Sequence, residues 1–224
     1  MCGRFAVAKN PAEIAAEVQA VWDDEVPELP SWNSCPTSFT PVLSEDKLYS
    51  WSWGLIPNWA GDDSLRAGII NARIETLAEK AAFKNLIGKN QCIVPVDGYY
   101  EWQKKGDTKI PYYFQSTNDS MLLLAGLWDQ WIDKSGETVT SFTVITREAA
   151  ESISEVHHRM PVILDLQNAH KWAQNALKVE VLMDLSLDSL KMHEVSTAVN
   201  SVRNNSPELI KATDSPQFWQ DELF

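Results

Sequence analysis

The sequence predicts a single α+β domain over residues 1–224, with a largely antiparallel, barrel-like β core and peripheral helices. Three observations predict it. Short segments with strand-type alternation recur through the chain and are joined by hairpin-type turns. Helix-start signals are few and fall between or outside those segments. No internal repeat or low-complexity linker divides the 224 residues, a length that one core can organise.

In chain order, Asn10-Pro11-Ala12-Glu13 opens a helix with an Asn cap, Pro at the first helical position and Glu at the third. Ile14, Val18, Val21 and Trp22 form its apolar face, which predicts a helix to about residue 22. Residues 25–46, rich in Pro, Ser and Thr, read as loop with one short strand. Lys47–Trp53 alternates as a strand, with Tyr49, Trp51 and Trp53 on one face and Leu48, Ser50 and Ser52 on the other. Thr76-Leu77-Ala78-Glu79 is a capping-box pattern and predicts a helix ending near Gly88. Residues 91–96, 99–104 and 111–115 read as strands, the last two joined by the turn Lys105-Gly106-Asp107-Thr108. Residues 121–128 and 139–146 continue the pattern across Lys134-Ser135-Gly136-Glu137. Asp165 caps a helix with Ala169, Trp172, Ala173 and Ala176 as its stripe, and 181–191 forms a second short helix. One more strand follows residue 193 before the last ten or so residues fray.

Hydrophobic content of 44% and charged content of 22% are ordinary for a folded, soluble chain. No apolar run reaches the roughly 18 residues of a membrane-spanning helix, and no signal-peptide-length stretch follows Arg4, so a cytoplasmic protein is expected. Three cysteines without a CxxC fit a reducing compartment. Cys92, in Gln91-Cys92-Ile93-Val94, reads as a small buried hydrophobe on a strand, and Cys35 has no evident role. His157, His158, His170 and His193 lack metal-ligand spacing and no cysteine pair joins them, so neither metal nor cofactor is expected. A net charge of −12 argues against indiscriminate duplex binding, which Lys and Arg drive. It leaves room for a small basic groove.

Chemistry concentrates in four segments. Cys2 stands directly behind Met1, and a small second residue favours removal of the initiator. A chain beginning at Cys2 carries an α-amine and a thiol on adjacent carbons. Such an aminothiol captures an aldehyde as an imine and then closes onto the imine carbon as a thiazolidine. An α-amine of ordinary pKa (about 7.7–8.0) and a thiol of ordinary pKa (about 8.5) need no large shift for this, but both gain from a nearby base. The other segments are Ile69-Ile70-Asn71-Ala72-Arg73-Ile74-Glu75, Asp97-Gly98-Tyr99-Tyr100-Glu101-Trp102 and His157-His158-Arg159-Met160-Pro161. Singly, each has an ordinary reading. Asn71 caps or turns after a strand, Glu101 is a surface glutamate, one of the histidines is a loop residue, and a second-position cysteine is an accident.

Together these motifs resemble the SOS response-associated peptidase (SRAP) family, whose members recognise abasic sites in single-stranded DNA and crosslink to them. The resemblance runs from Met1-Cys2-Gly3-Arg4-Phe5 through Trp53-Gly54-Leu55-Ile56-Pro57-Asn58-Trp59 and the three segments above to Val199-Asn200-Ser201-Val202-Arg203-Asn204. It implies the SRAP fold, Cys2 as crosslinking residue, Asn71 as active-site asparagine, and Glu101 and His157 as catalytic residues. His157 is preferred to His158 because the family spacing is His, any residue, Arg. Arg4, Arg73 and Arg159 fall where family members contact phosphates. Trp59, at an apparent loop tip, is the candidate base-contacting aromatic, whereas Trp51 and Trp53 read as packing. Ser34-Cys35 before Pro36 departs from the small apolar residues usual there and touches no reactive position.

The implied function is sensing of abasic sites in single-stranded DNA by a thiazolidine crosslink through Cys2, shielding the site from strand cleavage. Glu101 would shuttle protons, with aromatic shielding from Tyr99 or Trp102. His157 would assist opening of the sugar ring, and Asn71 would orient Cys2. The partner is abasic single-stranded DNA, with no membrane, a monomeric protein and association with the nucleoid when DNA-bound. Lyase-type activity on DNA and autoproteolytic or peptidase activity accompany this reading. One alternative is an N-terminal-nucleophile cysteine peptidase acting mainly on its own Met1. Another is a non-catalytic single-strand-binding module.

Overall fold

The strand-rich middle of the chain closes on itself. The computed structural model describes residues 2–23, 25–65 and 68–213. In order they form β1 (Phe5–Val7), α1 (Pro11–Glu17), β2 (Val21–Trp22), β3 (Ser31–Ser34), β4 (Phe39–Ser44), β5 (Lys47–Trp53), β6 (Asn71–Arg73), β7 (Gln91–Val96), β8 (Gly98–Lys105) and β9 (Thr108–Ser116). Then follow β10 (Leu122–Ile132), β11 (Thr138–Glu148), α2 (Glu151–Ser154), β12 (Arg159–Pro161), β13 (Ile163–Leu164), α3 (Leu166–Ala173), α4 (Leu182–Leu185) and β14 (Leu190–Glu194). Strands β5, β4, β7, β10 and β11 pair in that order, and β11 returns to β5 in parallel through Ser141↔Ser52 and Phe142↔Trp53. This makes a closed five-stranded barrel, which removes its free edges. A second, five-stranded sheet runs β14-β9-β8-β1-β3. The single α+β domain with a barrel-like β core is as the sequence predicts.

The main core holds Phe5, Leu43, Leu48, Trp53, Ile93, Leu124, Phe142 and Trp172, all fully buried. Apolar burial of this kind contributes about 1.5–3 kcal/mol per large side chain. A smaller cluster of Ala6, Tyr100, Tyr113, Val195, Val199 and Leu209 lies on the other side of β8. Gly98 starts that strand because nothing larger fits: a Cβ there would meet the Phe114 carbonyl and the Tyr113 ring at 2.4 Å. Both expected hairpins form, with Lys105 paired to Thr108 and Ile132 to Thr138, and Gly106 and Gly136 at positive φ. Cys92 is buried on β7, where its sulfur lies 3.0 Å from the position a Gly126 Cβ would take.

Four expectations are corrected. The first helix stops at Glu17, not near residue 22, because Gln19 adopts the left-handed conformation (φ 53°) and the Ala20 amide donates to the Ala15 carbonyl at 3.0 Å. That is a Schellman stop with glutamine where glycine is usual, so no sequence signal marks it. Val21 is exposed and Trp22 joins β2. The segment after Thr76 is a series of separate turns; Leu77, Phe83 and Leu86 are buried without a continuous i→i+4 ladder. Residues 25–46 hold two strands, β3 and β4. Finally, the 181–191 region gives only the one turn of α4, then an irregular stretch over 186–189 and the start of β14, so the last strand begins before residue 193. Ala176 lies exposed beyond α3. The fraying expected at the C-terminus falls outside the described residues. No helix among the described residues is long and apolar enough to cross a membrane.

Candidate active site

The N-terminal segment reaches the site because β1 is inserted between β3 and β8. Phe5 pairs with Tyr99 and Ser34, and its ring stacks on Trp53 with centroids 4.3 Å apart. Cys2 precedes this strand and is fully buried. Its carbonyl accepts a hydrogen bond from Asn71 Nδ2 at 2.7 Å. Asn71 Oδ1 is buried without a partner among the described residues. Asn71 itself is fixed by β6, which lies parallel to β11 with Asn71 opposite Val144.

Glu101 sits on β8, facing the same side as Tyr99, and is 3% exposed. Burial pushes its carboxyl above the ordinary carboxylate range. His157 Nδ1 lies 3.9 Å from Glu101 Oε1 and 3.0 Å from the Arg159 amide nitrogen. The imidazole is half-buried, stacks on the exposed His158 at 4.5 Å, and is pulled below its usual pKa chiefly by burial. Burial and then the charge of Glu101 raise the Cys2 thiol well above the usual thiol range. The site therefore pairs a reluctant acid with a neutral imidazole and a protonated thiol. Two layers build it. Cys2 and Glu101 come from the second sheet, Asn71 and His157 from segments that flank β11 of the barrel.

A cleft of about 780 Å³ opens from this centre, lined by Glu101, Trp102, His157, Asn200 and, further out, Lys104 and Lys109. The two lysines are exposed and directly opposite one another on the β8–β9 hairpin. Like charges so placed oppose each other unless an anion lies between or beside them.

The arginines differ. Arg73 is exposed on β6. Arg4 is half-buried, donates to Asn33 Oδ1 at 2.6 Å and to the Val199 carbonyl at 2.8 Å, and lies 5.9 Å from the Trp102 ring centroid. Arg159 is 8% exposed and grips Glu75 with two bonds, at 2.7 and 2.9 Å. Trp59 is 58% exposed, and Trp53 is fully buried.

Sequence reasoning missed the supports. Asn33 Nδ2 donates to the carbonyls of Ser201 at 3.0 Å and Asn204 at 2.8 Å while its Oδ1 takes Arg4, so it ties the C-terminal segment to the N-terminus. Trp102 Nε1 donates to Asn200 Oδ1 at 2.7 Å, which fixes one wall of the cleft. The 199–204 stretch is part of the motif resemblance, but nothing local announces partners some 170 positions away. Among the described residues no group of three or more His, Cys, Asp or Glu is arranged to hold a metal ion.

Fold and site together define a single-domain α+β barrel protein with a buried cysteine at position 2 held by an asparagine amide. Comparison with known proteins gives the family. The chain belongs to the SOS response associated peptidase (SRAP) family, which it matches over residues 1–202. It is 34% identical over 226 residues to the abasic site processing protein YoqW of Bacillus subtilis (strain 168), covering 95% of this chain and 100% of the relative. It is 32% identical over 259 residues to the abasic site processing protein HMCES of Gallus gallus, covering 94% of this chain and 77% of the relative. A crystal structure of a protein from Bacteroides thetaiotaomicron superposes with a TM-score of 0.85 at 26% identity, covering 95% of this chain and all of the other.

Proposed function

We propose that this protein processes abasic sites in single-stranded DNA by forming a thiazolidine crosslink through Cys2 once Met1 has been removed. The observation that carries the reading is the Asn71 bond to the Cys2 carbonyl, which fixes the second residue of the chain within reach of the charge of Glu101, itself beside His157. The names of the relatives agree with an abasic substrate.

The chemistry follows from the groups present. His157, neutral at working pH, assists opening of the abasic sugar to its aldehyde. The Cys2 amine attacks C1′, and Glu101 takes a proton from the amine and returns one to the departing hydroxyl. The thiol then closes onto the tethered carbon. An untethered thiol of raised pKa is a poor nucleophile, but a tethered one acts at high effective concentration. This difference favours the crosslinker over the peptidase, whose first step needs a thiolate, and burial works against one. Saturating C1′ with sulfur removes the activation for β-elimination and protects the strand. Arg4, Arg73 and Arg159 hold phosphates, with Lys104 and Lys109 as further cations, and Trp59 stacks on a base.

The test uses protein whose mass shows loss of Met1 and an oligonucleotide with one abasic site. A denaturation-stable shift that needs no reductant is the expected product. A shift seen equally with an intact oligonucleotide, or none at all, rules the reading out.

A further inference from the structure

Tyr99 carries a polar atom that the fold leaves unused. Its side chain is fully buried, its ring stacks on Phe114 at 4.9 Å and 7°, and its hydroxyl has no hydrogen-bond partner among the described residues. An orphaned buried hydroxyl destabilises the fold, and phenylalanine would keep the stack without that cost. Tyr100, one residue on and facing the other way, shows the usual solution: its hydroxyl donates to the Trp32 carbonyl at 2.7 Å.

The position of Tyr99 on β8 points to the reactive centre. Tyr99 shares a face of β8 with Glu101, pairs with Phe5 of β1, and belongs to the same buried cluster as Cys2. Burial, and then the charges of Cys2 and Glu101, hold the phenol well above its ordinary range, so it is an O–H donor at working pH. Arg147 acts in the opposite sense and is itself pinned, with Nε donating to Ser186 Oγ at 2.9 Å. The Cys2 sulfur meanwhile faces the Arg4 carbonyl at 4.0 Å, an acceptor that cannot stabilise a thiolate.

We propose that the Tyr99 hydroxyl donates a hydrogen bond to the Cys2 sulfur during ring closure and so positions it for the second half of the crosslinking reaction. This rests on the crosslinking function proposed above. In that step the Cys2 S–H bond breaks and the Sγ–C1′ bond forms. The π pair of C1′=N moves to nitrogen, and the proton released by sulfur ends on that nitrogen with Glu101 as carrier. Negative charge builds on sulfur in surroundings that disfavour it. A turn of the Cys2 side chain from the Arg4 carbonyl toward Tyr99 replaces an acceptor with a donor at that moment.

Tyr99→Phe tests this in the mature protein with a single abasic oligonucleotide, measuring borohydride-trappable imine, reductant-independent crosslink, strand cleavage and melting temperature. The variant is expected to melt at or above the native temperature and to form imine at the native rate. It should close the ring about tenfold more slowly at neutral pH, with more strand cleavage. Equal closure rates overturn the role of Tyr99, and so does a lowered melting temperature with equal losses of imine and crosslink. Absence of any crosslink with the native protein overturns the underlying reading as well and is visible in the native lane alone.

Discussion

Arg159 and Glu75 form a fork-to-fork ion pair, with Nη1 to Oε1 at 2.7 Å and Nη2 to Oε2 at 2.9 Å, and Nη2 also donates to the Thr146 carbonyl at 2.7 Å. The guanidinium proposed to hold a DNA phosphate is therefore already partnered, and a phosphate must displace or share Glu75. Glu75→Gln should release that charge. Single strands then bind more tightly, and the slope of log K against log salt steepens by about 0.7. Fluorescence anisotropy over a salt series checks it, and an unchanged slope assigns Arg159 to structure alone. The pair also sets a pH dependence. Hydrogen bonding from Arg159 holds the Glu75 carboxyl below its ordinary range. Its contribution to stability is present above about pH 4.3, the unfolded value, and is lost as pH falls through the depressed folded value. Glu75 is half exposed, so screening keeps that contribution small.

Asn71→Ala removes the donor to the Cys2 carbonyl, and Asn71→Asp replaces it with a group that cannot donate when ionised. Both variants should crosslink on the order of 10–100 times more slowly, because the amine is no longer held in line. Their melting temperatures should fall by only a few degrees, the effect of one hydrogen bond. Stopped crosslinking reactions and thermal melts separate the two effects.

Glu101→Gln should exchange activity for stability. The carboxyl is raised in the fold, chiefly by burial, so folding favours its protonated form. The benefit of that form is full below the unfolded carboxylate value and disappears as pH rises through the folded one. Glutamine imitates the protonated group at every pH. The variant should therefore melt higher than the native protein at pH 7, and the gap should close in acid. Its crosslinking rate should fall about 100-fold and lose the acidic limb of the native pH profile.

Cys2→Ala keeps the terminal amine and loses the sulfur. It should form an imine that borohydride traps, and then cut the strand by β-elimination. A full-strength crosslink stable to hydrolysis from this variant would contradict the thiazolidine.

Trp59→Ala should weaken single-strand binding by about 1–3 kcal/mol, the value of one base stack. Reaction of the mature protein with a small free aldehyde should be unchanged, because Trp59 is exposed and takes no part in holding Cys2. Titration with an unmodified oligonucleotide and a small-aldehyde mass shift give the two readings.

Strand and hairpin placement was legible in the sequence because both depend on neighbours: period-two alternation in β5, and Gly106 and Gly136 in turns that need positive φ. Helix ends were less legible. Gln19 stops α1 in a conformation that its chemistry does not advertise, and Thr76 opens turns despite a capping-box pattern. Of the candidate site, Cys2, Asn71, Glu101 and His157 were singled out only together, through the motif resemblance, and the fold ties Asn71 to Cys2 and sets His157 beside Glu101. What remained hidden was the state of each cation. Arg159 and Arg73 read alike in sequence, yet one is gripped by a carboxylate and the other is exposed.

The sequence by itself determined the α+β class and the run of hairpin strands, because these rest on local propensity. Only the tertiary structure decided that the barrel closes through β11 and β5, that Cys2 is buried rather than displayed, and that Asn33 ties residues 199–204 to Arg4. Closure, burial and long-range hydrogen bonds join residues tens to nearly two hundred positions apart. Their free energies exist only once the chain has folded, and no window of neighbouring residues contains them.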